Sequence, residues 1–193
     1  MGGVMVVCEH LSGEFADITF ELLGLAAGLG AGEVSAVTFG SMAGKAGELG
    51  AAGSVIDAGG DDDYNPEGYA AAVSAAVEAY SPDLLLVGST SMGMDIAGPV
   101  AAARGLPLVA YCTAVEGANG GFACSSSLYG GKLGVSSQVS SPAVAMLLPG
   151  ACDGDTGRVT GSPSVSELAV PELAGKVRFS RLIEPEAGDV DIT

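Results

Sequence analysis

Four consecutive apolar residues, Leu84 to Val87, stand between a Pro82-Asp83 turn and the small residues Gly88, Ser89, Thr90 and Ser91. A run this short and uniformly apolar fits a strand covered on both faces of a parallel sheet. The segment that follows, through Ala103, reads as a helix, so the unit is strand, tight turn, helix. Free amides and the positive end of the dipole at such a helix start favour a phosphate or another anion. The same turn also serves as plain connection chemistry in an α/β domain, and both readings follow from it.

The spacing Gly88, four residues, Gly93 has the glycine pattern of a phosphate-binding P-loop. That motif needs a lysine to reach the terminal phosphates and a Ser or Thr to hold magnesium, and Met94 and Asp95 stand in those places. No G-x-S-x-G nucleophile elbow surrounds Ser89 or Ser91. The candidate binding set is therefore Gly88, Ser89, Thr90, Ser91, Gly93 and Asp95, with backbone amides carrying more of any phosphate contact than side chains.

A chain of 193 residues that is 48% hydrophobic can bury a full core without staples. Cys8, Cys112, Cys124 and Cys152 form no C-x-x-C pair and have no adjacent histidine, which points to small buried thiols rather than zinc ligands. The 23 acidic against 7 basic residues give a formal charge of -16, a field that repels nucleic acid and anionic lipid. No apolar run approaches the roughly 20 residues of a membrane span. The start goes straight into an apolar strand with no basic leader, so the expectation is a soluble cytoplasmic protein.

Val4 to Cys8 reads as the first strand, followed by a helix from Asp17, whose carboxylate is expected to cap it. Glycines 28, 30 and 32 stop that helix. Val34 to Phe39 and Ser54 to Asp57 are the next strands, with a short helical crossover expected at Lys45 to Leu49. Asn65 as cap and Pro66 at the first helical position open a helix that buries Tyr69, Ala70, Val73, Ala76, Val77 and Tyr80. This alternation predicts an α/β fold, a doubly wound, mainly parallel Rossmann-like sheet. Leu106 to Val115, Phe122 to Ser126, Leu133 to Val139 and Val144 to Leu148 are short strands read as hairpins extending the sheet edge. From Gly150 the chain turns rich in Gly, Ser, Asp and Pro, with extended segments at Val165 to Val170 and Val177 to Ile183. Residues 1–150 are thus the domain and 151–193 an extended tail.

The segments VVCEH with Gly13, ELLGLAAGL, YNPEGYA, LLLVGSTSMGMD followed by Pro99 and Ala102, and LYGGKLG resemble, in order and spacing, the N-terminal domain of the alpha subunit of electron-transfer flavoproteins. The ending VRFSRLIEPEAGDVDIT resembles the linker that in the family enters the FAD-binding domain. The resemblance implies a scaffold that pairs with a beta-like subunit, with the flavin held mainly by a separate FAD-binding domain or by that partner. The cofactors it implies are FAD or AMP, and a homo-oligomer is a further option. The chain departs from the family at Met94, Val100, Leu148, Ser126 and Ser127, where arginine, or Arg-Pro at the serine pair, is usual. With Lys45, Arg104 and Lys132 as the bases before the tail, tight polyphosphate binding loses its ion pairs.

Among the remaining residues, His10 follows Glu9 at the carboxyl end of the first strand, the edge where α/β proteins bind ligands. With no nucleophile beside it, a structural polar turn is the favoured reading and ligand contact the minority one. Asp61, Asp63 and Asn65 imitate the start of an EF-hand loop, but Pro66 and Ala72 occupy its glycine and glutamate places. Tyr129 to Lys132 reads as a hairpin turn. The expected role is a non-enzymatic electron-transfer or binding scaffold. The alternative is a free-standing adenine-nucleotide sensor using Ser89, Thr90, Gly93 and Asp95.

Overall fold

The computed structural model describes residues 2–170, 176–177 and 179–183. Its central sheet is nine-stranded, and the chain order explains its shape. Strand β1 (Val4–Val7) is followed by a two-residue hairpin, β2 (His10–Leu11) and β3 (Glu14–Phe15), and by helix α1 (Asp17–Leu29). Strand β4 (Val34–Thr38), a 3-10 segment (Gly40–Glu48) and β5 (Ser54–Asp57) then build one side of β1. Helix α2 (Pro66–Tyr80) carries the chain across to β6 (Leu84–Gly88) on the other side, and α3 (Ser91–Arg104) follows. The reversal of direction puts a topological switch point between the carboxyl ends of β1 and β6. The doubly wound, mainly parallel α/β fold is thus as expected.

Alternation along β1 shows how the sheet is covered. Val4 and Val6 pack with Ile18, Leu22, Leu23 and Ala26 of α1, while Met5 and Val7 pack with Val73 and Ala76 of α2 and Ile96 and Val100 of α3. Every residue of β1 and β6 is buried, as a strand between two helical layers requires.

Helix α2 begins as its sequence dictates: Asn65 Oδ1 accepts from the Gly68 amide at 3.2 Å and Pro66 opens the first turn. Helix α1 differs from expectation. Its N-cap is Ala16, without a side-chain cap, and Asp17 lies in the first turn, where it accepts from Arg158. A carboxylate one residue further in still faces the positive end of the dipole. Gly30, at φ 59°, closes α1 in the left-handed conformation. Tyr80 is another difference: it is 41% exposed, because it sits on the rim of α2 and its hydroxyl meets Ser166 Oγ at 2.9 Å. The expected short helix at Lys45 to Leu49 is instead the end of the longer 3-10 segment.

The second half forms an antiparallel wing of β7 (Leu108–Ala118), β8 (Gly121–Leu128) and β9 (Leu133–Ser140). Tyr129, Gly130 and Gly131 make the β8–β9 turn with positive φ, as the hairpin reading required. The strand β10 (Ala143–Leu147) corrects one expectation. It is not an edge hairpin strand but lies between β6 and β7, parallel to both and fully buried. Its five apolar residues fill the interior slot left by the excursion of the wing.

Beyond Gly150 the chain first straps across α1. The buried carboxylate of Glu21 accepts from the amides of Gly150 (2.9 and 3.0 Å) and Cys152 (3.4 Å), which satisfies a charge that burial would otherwise penalise. Arg158 lies 4.1 Å above the Phe20 ring. The chain then adds β11 (Ser164–Glu167) parallel to β5 at the sheet edge. The expected segment from Val177 to Ile183 falls partly outside the described residues, and its described part forms no strand.

Candidate functional site

The switch point is built from two strand ends that the sheet order brings together. Glu9 and His10 follow β1; Ser89 and Thr90 follow β6. Glu9 is 5% exposed, and both of its carboxylate oxygens lie 2.8 Å from Thr90 Oγ1. The same Thr90 oxygen accepts from the Gly93 amide at 2.9 Å, making Thr90 the N-cap of α3. A carboxylate of the chain itself therefore sits against a helix N-terminus, with one hydroxyl linking it to the helix amides.

The two glycines of the turn owe their identity to close packing. A Cβ on Gly93 would lie 1.9 Å from the Gly88 carbonyl oxygen, and one on Gly88 would lie 2.5 Å from Glu9 Oε1. Ser89 is tied on both sides, its hydroxyl donating to the Met146 carbonyl at 3.1 Å and accepting from the Tyr111 amide at 3.3 Å. Of the six residues singled out in the sequence, Gly88 and Gly93 are buried, Ser89 and Thr90 half-buried, and Ser91 and Asp95 exposed. All six lie on one turn and the first two helical turns after it.

Sequence reasoning passed over the aromatic layer beside this turn. Tyr69 of α2 stacks on Phe39 with ring centroids 3.9 Å apart, and Tyr64 meets its edge at 5.2 Å. The Tyr69 hydroxyl and His10 Nε2 are 3.0 Å apart, and the Tyr64 hydroxyl donates to Asp95 Oδ2 at 3.1 Å. A signal existed, since tyrosines flank the Asn65-Pro66 helix start, but helical periodicity alone assigned Tyr69 to the core.

Burial decides the electrostatics. It pushes the Glu9 carboxyl up, with the Thr90 hydrogen bond opposing the shift, and it pulls His10 down against the influence of Asp62. Burial thus disfavours the charged form of each group. Tyr69 is pushed up to about 12 by burial and by Asp62, Asp63 and Asp61. Next to this layer, an open cleft of about 460 Å³ is lined by Phe39, Tyr69, Gly59, Gly60, Asp61 and Asp63. The cations Lys45, Arg104 and Arg158 are each paired with a carboxylate, Glu14, Glu78 and Asp17 respectively.

Three of the cysteines are buried and Cys152 is partly buried, all as free thiols. Among the described residues no helix is long and apolar enough to cross a membrane.

Comparison with known proteins agrees with this architecture. The alpha subunit of the electron transfer flavoprotein of Syntrophomonas wolfei is 28% identical over 186 residues, covering 92% of this chain and 57% of that protein. Protein FixB of Bradyrhizobium diazoefficiens is 39% identical over 72 residues, 37% of this chain and 20% of the relative. Protein FixB of Azotobacter vinelandii is 45% identical over 51 residues, 26% of this chain and 14% of the relative. The chain spans less than two thirds of the length of each of these relatives. The electron transfer flavoprotein domain model matches residues 4–173, so the chain belongs to the electron transfer flavoprotein family, as an N-terminal-like domain of its alpha subunit.

Proposed function

We propose that this chain is the scaffold part of an electron-transfer flavoprotein alpha subunit acting in the cytoplasm, a carrier platform rather than a catalyst. Residues 1–150 form the platform, to which the following segment adds β11, and 151–193 lead towards an FAD-binding domain. A beta-like subunit docks alongside, and the flavin is held by the FAD-binding domain or by that partner. The observation that carries this reading is the Glu9 carboxylate at the start of α3. A pyrophosphate placed there would meet a carboxylate and packing glycines, while Lys45, Arg104 and Arg158 are already engaged by carboxylates, which suits an internally satisfied platform better than a flavin clamp.

Co-expression with a beta-like subunit and an FAD-binding domain tests the proposal. The expected result is a colourless, nucleotide-free chain when purified alone and a yellow complex when all parts are present. A chain that is yellow by itself, or that fails to join any such complex, would overturn it. A second reading, an adenine-nucleotide sensor using Ser89, Thr90, Gly93 and Asp95, draws on the exposed Asp95, whose carboxylate accepts from the Tyr64 hydroxyl. Heat release of a nucleotide from the pure chain, without visible absorbance, would favour it.

A further inference from the structure

The chain contains two asparagines, Asn65 and Asn119, and their surroundings are opposite. Asn65 precedes Pro66, whose nitrogen carries no hydrogen, and its Oδ1 is engaged by the Gly68 amide at 3.2 Å. Asn119 precedes Gly120 in the turn between β7 and β8, closed by the pair Ala118 and Gly121. Both turn residues are exposed, and Gly120 has φ 77°, in the left-handed region that glycine reaches without strain. Among the described residues no backbone carbonyl accepts from the Gly120 amide. Asn119 also borders an open cleft of about 680 Å³ with Asp83, Leu29 and Phe122, so water reaches its side chain.

We propose that Asn119 is a site of spontaneous covalent modification, deamidation by way of a succinimide. The Gly120 nitrogen, giving its proton to hydroxide, attacks Cγ of Asn119; a C–N bond forms, the ring closes and the side-chain nitrogen leaves as ammonia. Water then opens the ring. Attack at Cγ leaves aspartate, and attack at the main-chain carbonyl leaves isoaspartate, with the chain running on through Cβ and Cγ. Water enters and ammonia departs, with no oxidation or reduction. Glycine permits the attack because no Cβ stands beside its nitrogen. The same step is closed to Asn65, since Pro66 has no proton to lose. Asp153-Gly154 is a similar pair, but its carboxylate is held by the Asp155 amide at 2.9 Å as the cap of a 3-10 turn. Either product puts a carboxylate on the cleft that already holds Asp83. Isoaspartate also lengthens the main chain within a tight turn, so the Gly120 carbonyl, which accepts from the Ser141 amide at 3.2 Å, must shift. Ser141 Oγ in turn donates to Asp83 Oδ1 at 3.0 Å, which carries the change to the entrance of β10.

This inference does not depend on the flavin reading, and its test uses the purified full chain. The folded chain is incubated at mildly alkaline pH in heavy-oxygen water, beside a sample unfolded in guanidinium chloride, and both are peptide-mapped by mass spectrometry. The expected result is conversion of Asn119 to aspartate and isoaspartate carrying the heavy oxygen, at a rate within about tenfold of the unfolded sample, with Asn65 intact. Isoelectric focusing should show the matching acidic shift. Asn119→Gln, whose longer side chain makes ring closure unfavourable, should lose both signals; the wild-type map stands by itself should that variant misfold. An Asn119 that stays intact in the folded chain overturns the proposal. So does conversion more than about tenfold slower than in the unfolded chain, which would mean that the turn protects it. Conversion without heavy oxygen, or an acidic shift that persists in folded Asn119→Gln, overturns it as well.

Discussion

In the parallel body every residue of β1, β6 and β10 is buried, whereas along β9 the side chains alternate between exposed and half-buried once past Leu133 and Gly134. The body is enclosed between α1 on one face and α2 and α3 on the other, so each of its residues is held by close contacts on two sides. The wing has one packed face, formed by Cys112, Val115, Phe122 and Cys124, and one open face of small residues. Tolerance to change should follow this division. The packed turn at Gly88 and Gly93 cannot absorb an added methyl, and the open position at Gly134 of the wing can.

The largest contrast is expected between two glycine substitutions. Gly93→Ala drives a methyl into the Gly88 carbonyl, which must push α3 off β6, and should cost about 3 kcal/mol or more. Gly134→Ala on β9 meets nothing within 4 Å and should stay within about 0.5 kcal/mol of wild type in urea unfolding. Equal losses would erase the distinction between body and wing. Next, Leu86→Ala at the centre of β6 should cost about 2 to 5 kcal/mol by leaving a cavity. Val135→Ala on half-buried β9 should cost a fraction of that in the same measurement.

Thr90→Val removes the cap of α3 and the hydroxyl that holds Glu9, so a loss of about 1 to 3 kcal/mol is expected. Removing the exposed Thr113 hydroxyl of the wing, which donates to the Ser125 carbonyl, should be nearly neutral by comparison. The smallest effect is a pH dependence. A buried carboxyl with a raised pKa holds its proton more tightly folded than unfolded. The stability this supplies is full below the unfolded value of about 4.3 and is lost as pH rises through the folded value. Glu9→Gln keeps a neutral acceptor for Thr90 and should flatten this fall in melting temperature on the acid side of neutrality. His10 acts in the opposite sense: its lowered pKa supplies stability that is present above about 6.5 and lost as pH falls.

Local chemistry explains which features could be read in the sequence. Asn65-Pro66 fixes a helix start through contacts within four residues, and the Tyr129-Gly-Gly turn fixes a hairpin in the same way. Leu84 to Val87 announces an interior strand because both faces must be apolar. Val144 to Leu147 carries the same kind of signal, but its slot between β6 and β7 is set by where the wing leaves and returns, which no local pattern encodes. Tyr80 was misplaced because helical spacing marks a face but not how far the neighbouring layer extends. The candidate turn was legible as a turn, since six residues in sequence supply it. Its partner Glu9 was not, because 81 positions separate it from Thr90 and only the order of the strands joins them.

The position of that carboxylate also bears on affinity. A free anion approaching the start of α3 competes with a carboxyl group that is already covalently part of the molecule and held in place by Thr90. Such a tethered rival works at a high effective concentration and is never diluted away. Any outside anion would therefore lose, from its intrinsic affinity, the free energy needed to displace Glu9 from that spot.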